Sequence, residues 1–199
     1  MNLPNKITFA RICMIPVFVL VFFLDGMLPF AHGIAATIFV IAACTDFIDG
    51  YIARSRGLVT NLGKFLDPIA DKVLVSTAML LILTMKEKIF DDVGAWVYIA
   101  VAICVCVIMT RELIISAFRQ IAAANGVIMA ADKLGKYKTI FQDIAIAVLI
   151  FSGGFADILS PWHNYLTILG MVIFGVATVL TVWSGIAYVI NNKQVLKDA

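Results

Sequence analysis

The chain has 199 residues, of which 62% are hydrophobic and 14% charged, with a formal net charge of +2 and a mean hydropathy of +1.02. Charged residues make up about a quarter of an ordinary soluble domain, so this composition excludes one and indicates an integral membrane protein, with nothing to suggest a nucleic-acid partner. The four cysteines, Cys13, Cys44, Cys104 and Cys106, all lie inside apolar runs and form no C-x-x-C pair, which argues for small buried hydrophobes rather than disulfides or a zinc site.

Crossing a hydrocarbon core takes about 20 mostly apolar residues, and six windows qualify: 7–25, 31–53, 63–85, 94–118, 135–155 and 163–190. Each is predicted to be a helix, because a segment in lipid must satisfy its own backbone. Pro4-Asn5 precedes the first window; Asn5 or Thr8 either caps that helix or opens a short amphipathic segment at the interface. Several apolar runs of similar length follow, so the first reads as a retained helix rather than a cleaved signal.

With the N-terminus inside, the inner face collects Lys6, Arg11, Arg54, Arg56, Lys64, Lys72, Arg111, Arg119, Lys133, Lys136, Lys138, Lys193 and Lys197, leaving only Lys86 and Lys88 outside. That asymmetry follows the positive-inside rule and places both termini in the cytoplasm. The outward links are short: Asp25-Gly26 to Pro29, Lys86 to Asp92, and Ser152-Gly153-Gly154 to Pro161-Trp162. No repeat is evident. The expectation is an all-α membrane protein, one six-helix bundle spanning 1–199 with a short interfacial N-terminal segment.

Carboxylates are expensive inside a membrane and mark function. Four of them, Asp46, Asp49, Asp67 and Asp71, stand in the pattern D-x2-D-G-x2-A-R-x8-G-x3-D-x3-D. On helices, Asp46 and Asp49 project from one face, and so do Asp67 and Asp71. A tight hairpin between the second and third helices, joined by Ser55 to Leu62, would bring all four together at the cytoplasmic end. Carboxylates that close repel one another unless cations neutralise them, and an all-oxygen set suits hard ions, so two divalent cations, Mg²⁺ or Mn²⁺, fit best. Such pairs of ions clamp phosphoryl oxygens during in-line displacement. Gly50 and Gly63 leave the helix surface bare, either for a bulky nucleotide or for close helix packing. Arg54 either grips a phosphate in bidentate fashion or anchors the helix end.

The aspartate pattern resembles the signature of the CDP-alcohol phosphatidyltransferase family, and the six-helix plan resembles it more generally. The resemblance implies an enzyme that binds a CDP-linked donor and displaces CMP with an alcohol. It implies Asp46 and Asp67 as ligands bridging both metals, Asp49 as a ligand of one, and Asp71 as a ligand of the other and the catalytic proton acceptor. Gly50, Arg54, Thr60 and Gly63 then fall at donor-binding positions, with Asn5 and Thr8 as nucleotide contacts. A homodimer in a bacterial plasma membrane is implied by the same likeness.

The acceptor must be read elsewhere. Arg111, Lys133, Lys136 and Lys138 form an inward-facing basic group, which would suit the phosphate of a dianion such as glycerol 3-phosphate; singly, each also fits an ordinary topology residue. The start Asn2 to Thr8, the Thr110-Arg111-Glu112 step and the run Leu134 to Thr139 are similar to the bacterial branch of the family that uses glycerol 3-phosphate. Transfer of phosphatidyl from CDP-diacylglycerol to glycerol 3-phosphate, within the membrane lipid, is the resulting expectation. The rivals are a same-family synthase using inositol phosphate, serine or phosphatidylglycerol, a lipid phosphatase using water, and a cation transporter. Transporter sites lie nearer the midplane, often with repeats and broken helices.

Overall fold

The computed structural model describes residues 3–55, 61–91, 93–124, 133–159 and 162–192, with side chains at all of these except 3, 4, 46–55, 61–65, 67, 123, 124, 133, 157 and 159. Thr60 and Asp132 lie outside the described residues. The helices are α1 (Leu3–Phe23), α2 (Ala31–Ser55), α3 (Asn61–Thr84), α4 (Ala95–Ala124), α5 (Lys133–Gly154), α6 (Ala156–Leu159) and α7 (His163–Asn191), with one π-helical turn at Lys86–Phe90. No strand occurs among the described residues.

A helix occupies each of the six apolar windows, and the π turn and α6 fill two of the outward links. Among the described residues, three stretches are by length and composition apolar enough to cross a membrane: Asn5–Phe23, Ala95–Ala122 and His163–Asn191. Ala31–Thr45 is a shorter apolar stretch. The all-helical class is as expected, and three of the six expected spans have the required length and hydropathy among the described residues.

α5 packs along α7 and α2, α1 lies against α2 and α3, and α4 joins the bundle mainly through α7. Phe18, Phe39, Leu74, Met79, Ile82, Ile146, Leu149 and Phe174 are fully buried where these helices meet. Outward positions are apolar too: Leu20, Ile103, Leu113, Val179 and Ile186 are all exposed, as expected of a surface solvated by lipid rather than water. Trp96, Trp162 and Tyr165 are exposed near the starts of α4 and α7, the level at which amphipathic rings settle at a membrane interface.

Pro16 in α1 and Pro68 in α3 sit inside continuous helices, although each removes one backbone donor. Tight packing governs the end of the bundle that carries Asp25. Lys88 donates to Asp25 at 2.6 Å, and His32 Nδ1 lies 3.3 Å from the same carboxylate, tying the α1–α2 link to the π turn. The Lys88 hydrogen bond holds the Asp25 carboxyl below its ordinary range, so the tie is complete above the usual carboxylate pKa and fades only as pH falls through the lowered value.

Beside it, α2 and α5 approach so closely that a Cβ on Gly154 would lie 2.5 Å from the Gly33 nitrogen and 2.8 Å from the His32 Cβ. Backbone cannot retreat as a flexible side chain can. Gly154→Ala is therefore expected to cost ~1–3 kcal/mol through overpacking, measured as a lower midpoint of thermal unfolding in detergent micelles.

Candidate functional site

The aspartates stand where α2 ends and α3 begins. Asp46 and Asp49 fall in the last three turns of α2, Asp67 and Asp71 in the first three turns of α3, and the two helices are in contact. The side chains of Asp46, Asp49, Gly50, Arg54, Gly63 and Asp67 lie outside the described ones, while Asp71 is half-buried and has a partner. No group of three metal-ligating side chains occurs among the described residues.

α1 presents a polar face to this end of the bundle. Asn5, Thr8 and Arg11 recur every third residue and are 5%, 1% and 0% exposed, on a helix whose remaining surface is largely apolar. All three have partners. Arg11 donates from Nε to the carbonyl of Ala42 at 3.2 Å, and the Thr45 hydroxyl donates to the same oxygen at 2.7 Å. Ala42 lies one helical turn before Asp46, so Arg11 couples α1 to the segment of α2 that carries the first acid. Nothing local marks this role, since an arginine near a helix start reads as a topology anchor; its three-residue spacing from Thr8 and Asn5 is the available signal.

A second polar cluster joins α3, α4, α5 and α7. Glu112 Oε1 accepts from Arg111 Nη1 at 2.9 Å and from Lys138, while Lys72 approaches the Glu112 carbonyl oxygen at 3.5 Å. Arg111 Nη2 donates to Ser184 at 2.9 Å. Arg119 donates to the Tyr188 hydroxyl at 3.1 Å and lies over its ring, 5.2 Å from the centroid. Lys72 directly follows Asp71, so this cluster adjoins the acid stripe. Of the predicted acceptor residues, the structure brings Arg111 and Lys138 together on one carboxylate. Lys136 is exposed, and the Lys133 side chain lies outside the described ones. Glu112, Lys72, Ser184 and Tyr188 were absent from the sequence-derived site, because their meeting depends on four helices packing.

Arg111 and Lys138 meet on the Glu112 carboxylate, Lys72 reaches the Glu112 carbonyl oxygen from beside Asp71, and Arg119 pairs with Tyr188; a group of cations of this kind can receive an anion. Glu112 limits mutual repulsion and holds two of the cations in position. Carboxylate positions on two adjoining helix ends, a buried polar face beside them and a cation cluster next to Asp71 suit chemistry on a phosphate-bearing substrate.

The comparisons agree with that class. A family model described as CDP-alcohol phosphatidyltransferase matches residues 1–183, and the chain belongs to this family. The chain is 39% identical to a protein of Bacillus subtilis (strain 168) named CDP-diacylglycerol–glycerol-3-phosphate 3-phosphatidyltransferase, over 100% of the chain and 98% of the relative. Proteins of the same name are similar in Shigella flexneri, at 39% identity over 99% of the chain and 98% of the relative, and in Rickettsia prowazekii (strain Madrid E), at 38% over 94% and 93%.

Arg11→Lys tests the clamp on α2. Lysine keeps the charge but has no Nε–H at the required place, and a hydrogen bond from a charged group is worth ~1.5–3 kcal/mol. The variant is expected to lose stability of that order, read as a lower unfolding midpoint in the same detergent.

Proposed function

We propose that the protein transfers the phosphatidyl group of CDP-diacylglycerol to glycerol 3-phosphate, giving phosphatidylglycerol phosphate and CMP. The observation that carries the acceptor choice is the cation cluster of Arg111, Lys138, Lys72 and Arg119 beside Asp71, because a dianionic acceptor needs surplus positive charge where it meets the reacting phosphate. The printed names of the full-length relatives support the same reading. A six-span bundle in a bacterial plasma membrane, with the acid stripe on the cytoplasmic side, is the topology that the distribution of lysine and arginine supports.

Asp46, Asp49, Asp67 and Asp71 are the residues that would hold two divalent cations, Mg²⁺ or Mn²⁺. The fit rests on the donor chemistry: carboxylate oxygens alone, carried by two adjoining helix ends, suit hard ions. When bound, such ions neutralise charge on the phosphoryl oxygens of an in-line displacement. Asp71 takes the proton from the acceptor hydroxyl, which is a poor nucleophile while protonated. Arg54 grips the donor phosphates, with Gly50, Gly63 and Thr60 leaving room for the nucleotide and Asn5 and Thr8 facing it. Arg111, Lys133, Lys136 and Lys138 hold the acceptor phosphate. The acceptor attacks directly, since the motif brings acids and no side-chain nucleophile.

Two sets of measurements test this. Chelation should abolish CMP release, and Asp71→Asn should retain donor binding while turnover falls by ~10²–10⁴-fold, the range typical of a lost general base; near-wild-type turnover would remove Asp71 from that role. In an acceptor panel with CDP-diacylglycerol and Mg²⁺, CMP should appear with glycerol 3-phosphate and not with serine, inositol phosphate or water. Lys138→Gln should raise the acceptor KM about ten- to a hundredfold, the worth of one charge-assisted phosphate contact, with a much smaller change in the donor KM. Equal changes in both constants would assign Lys138 to structure instead.

A further inference from the structure

On α5, the face that carries Lys138 buries a second polar side chain. Gln142 stands one turn further along and is only 2% exposed. Its amide Nε2 donates to the Met79 sulfur of α3 at 3.6 Å, a weak contact. A thioether accepts and does not donate, so the NH₂ group belongs on Met79 and the carbonyl turns away from it. That carbonyl oxygen, Oε1, is buried with no hydrogen-bond partner among the described residues. An unpaired buried acceptor is among the expensive arrangements in a folded protein, and leucine or methionine at this core position would avoid it.

Two helix contacts define where the amide lies. Lys138 of α5 and Lys72 of α3 both reach Glu112, and further along Gln142 of α5 meets Met79 of α3. The two helices thus run parallel, away from the cation cluster. Side chains on a helix tilt toward its N-terminus, which for α3 and α5 is the end carrying Asp71 and Lys138. From residue 138 to 142 the rise is ~6 Å, and that tilt brings the amide back toward the cations. Beyond Gln142 the same face continues with Ile146 and Leu149, both fully buried. Gln142 is therefore the polar floor of the cluster, where charged groups give way to hydrocarbon.

From this placement we infer that Gln142 Oε1 accepts a hydrogen bond from the middle hydroxyl of the acceptor, which makes Gln142 a specificity-determining residue of the transfer. The inference rests on the glycerol 3-phosphate reading above. With the acceptor phosphate on Arg111 and Lys138 and the reacting hydroxyl at Asp71, one donor group is left over, the hydroxyl of the central carbon. Gln142 offers it a buried acceptor one turn from Lys138. An amide does so without placing negative charge beside a phosphate, as a carboxylate would. An acceptor without that hydroxyl leaves the carbonyl unpaired, and a site built to bond a hydroxyl discriminates against such analogues.

3-Hydroxypropyl phosphate keeps the phosphate and a terminal hydroxyl and lacks the middle one. With wild-type enzyme, CDP-diacylglycerol and Mg²⁺, its kcat/KM for CMP release should lie about ten- to a hundredfold below that of glycerol 3-phosphate. Gln142→Met, of similar volume, should bring the two values together by lowering the one for glycerol 3-phosphate. Gln142→Asn withdraws the amide by one methylene and should narrow the ratio in the same direction. A purely structural role would lower both acceptors by one factor and preserve the ratio. Equal kcat/KM for the two acceptors in the wild type, or a wild-type ratio in both variants, would overturn the assignment alone. Absence of CMP release from the wild type with glycerol 3-phosphate would overturn the transfer reading and this assignment with it.

Discussion

An ionised side chain within an apolar helical bundle has to be met by opposite charge or by hydrogen-bonding groups, and Glu112 is where this protein meets that requirement. Its carboxylate accepts from Arg111 on its own helix and from Lys138 on α5, and its backbone carbonyl is approached by Lys72 of α3. Arg111 extends the link to Ser184 of α7. Four helices are thereby joined through a polar network beside the acid stripe. Removal of one partner from such a network leaves a charge uncompensated, which costs far more than the network gains over apolar packing.

The two ends of the bundle solve different problems. At the end that carries Asp25, small residues let backbones touch, as where Gly154 of α5 meets Gly33 of α2, and the Asp25–Lys88 pair ties the links together. This end is closed by shape. At the opposite end, buried polar groups on α1 and the charged network of α3, α4, α5 and α7 keep the helices connected and gather several cations. That arrangement can accept a polyanion without reorganising the apolar core above it, because Phe18, Phe39, Leu74 and Ile146 are already fully buried.

Arg11 shows why partial burial of function escapes a linear reading. Lysine and arginine near helix ends usually report topology, and nothing in the residue itself separates an anchor from a clamp. Only the packing of α1 on α2 shows that Arg11 is wholly buried and bonded to Ala42. The same holds for Lys72 and Tyr188, which belong to a site only because α3, α4 and α7 converge. By contrast, helix positions were legible: the window 94–118 corresponds to Ala95–Ala124, and 163–190 to His163–Asn191.

The sequence by itself determined the helical class, the approximate helix positions and the acid pattern of Asp46, Asp49, Asp67 and Asp71, and with them the family. The physical reason is local: apolar runs in lipid must be helical, and carboxylates there are too costly to persist without a role. Tertiary structure alone decided that Glu112 gathers Arg111 and Lys138, that Arg11 clamps α2 one turn before Asp46, and that Gly185 of α7 lies against the Arg111 side chain. Each of these depends on side chains separated by 26 to 74 positions, except the adjacent Arg111–Glu112 pair. Helix periodicity specifies which residues share a face, but the neighbour that face meets is set by how the helices pack.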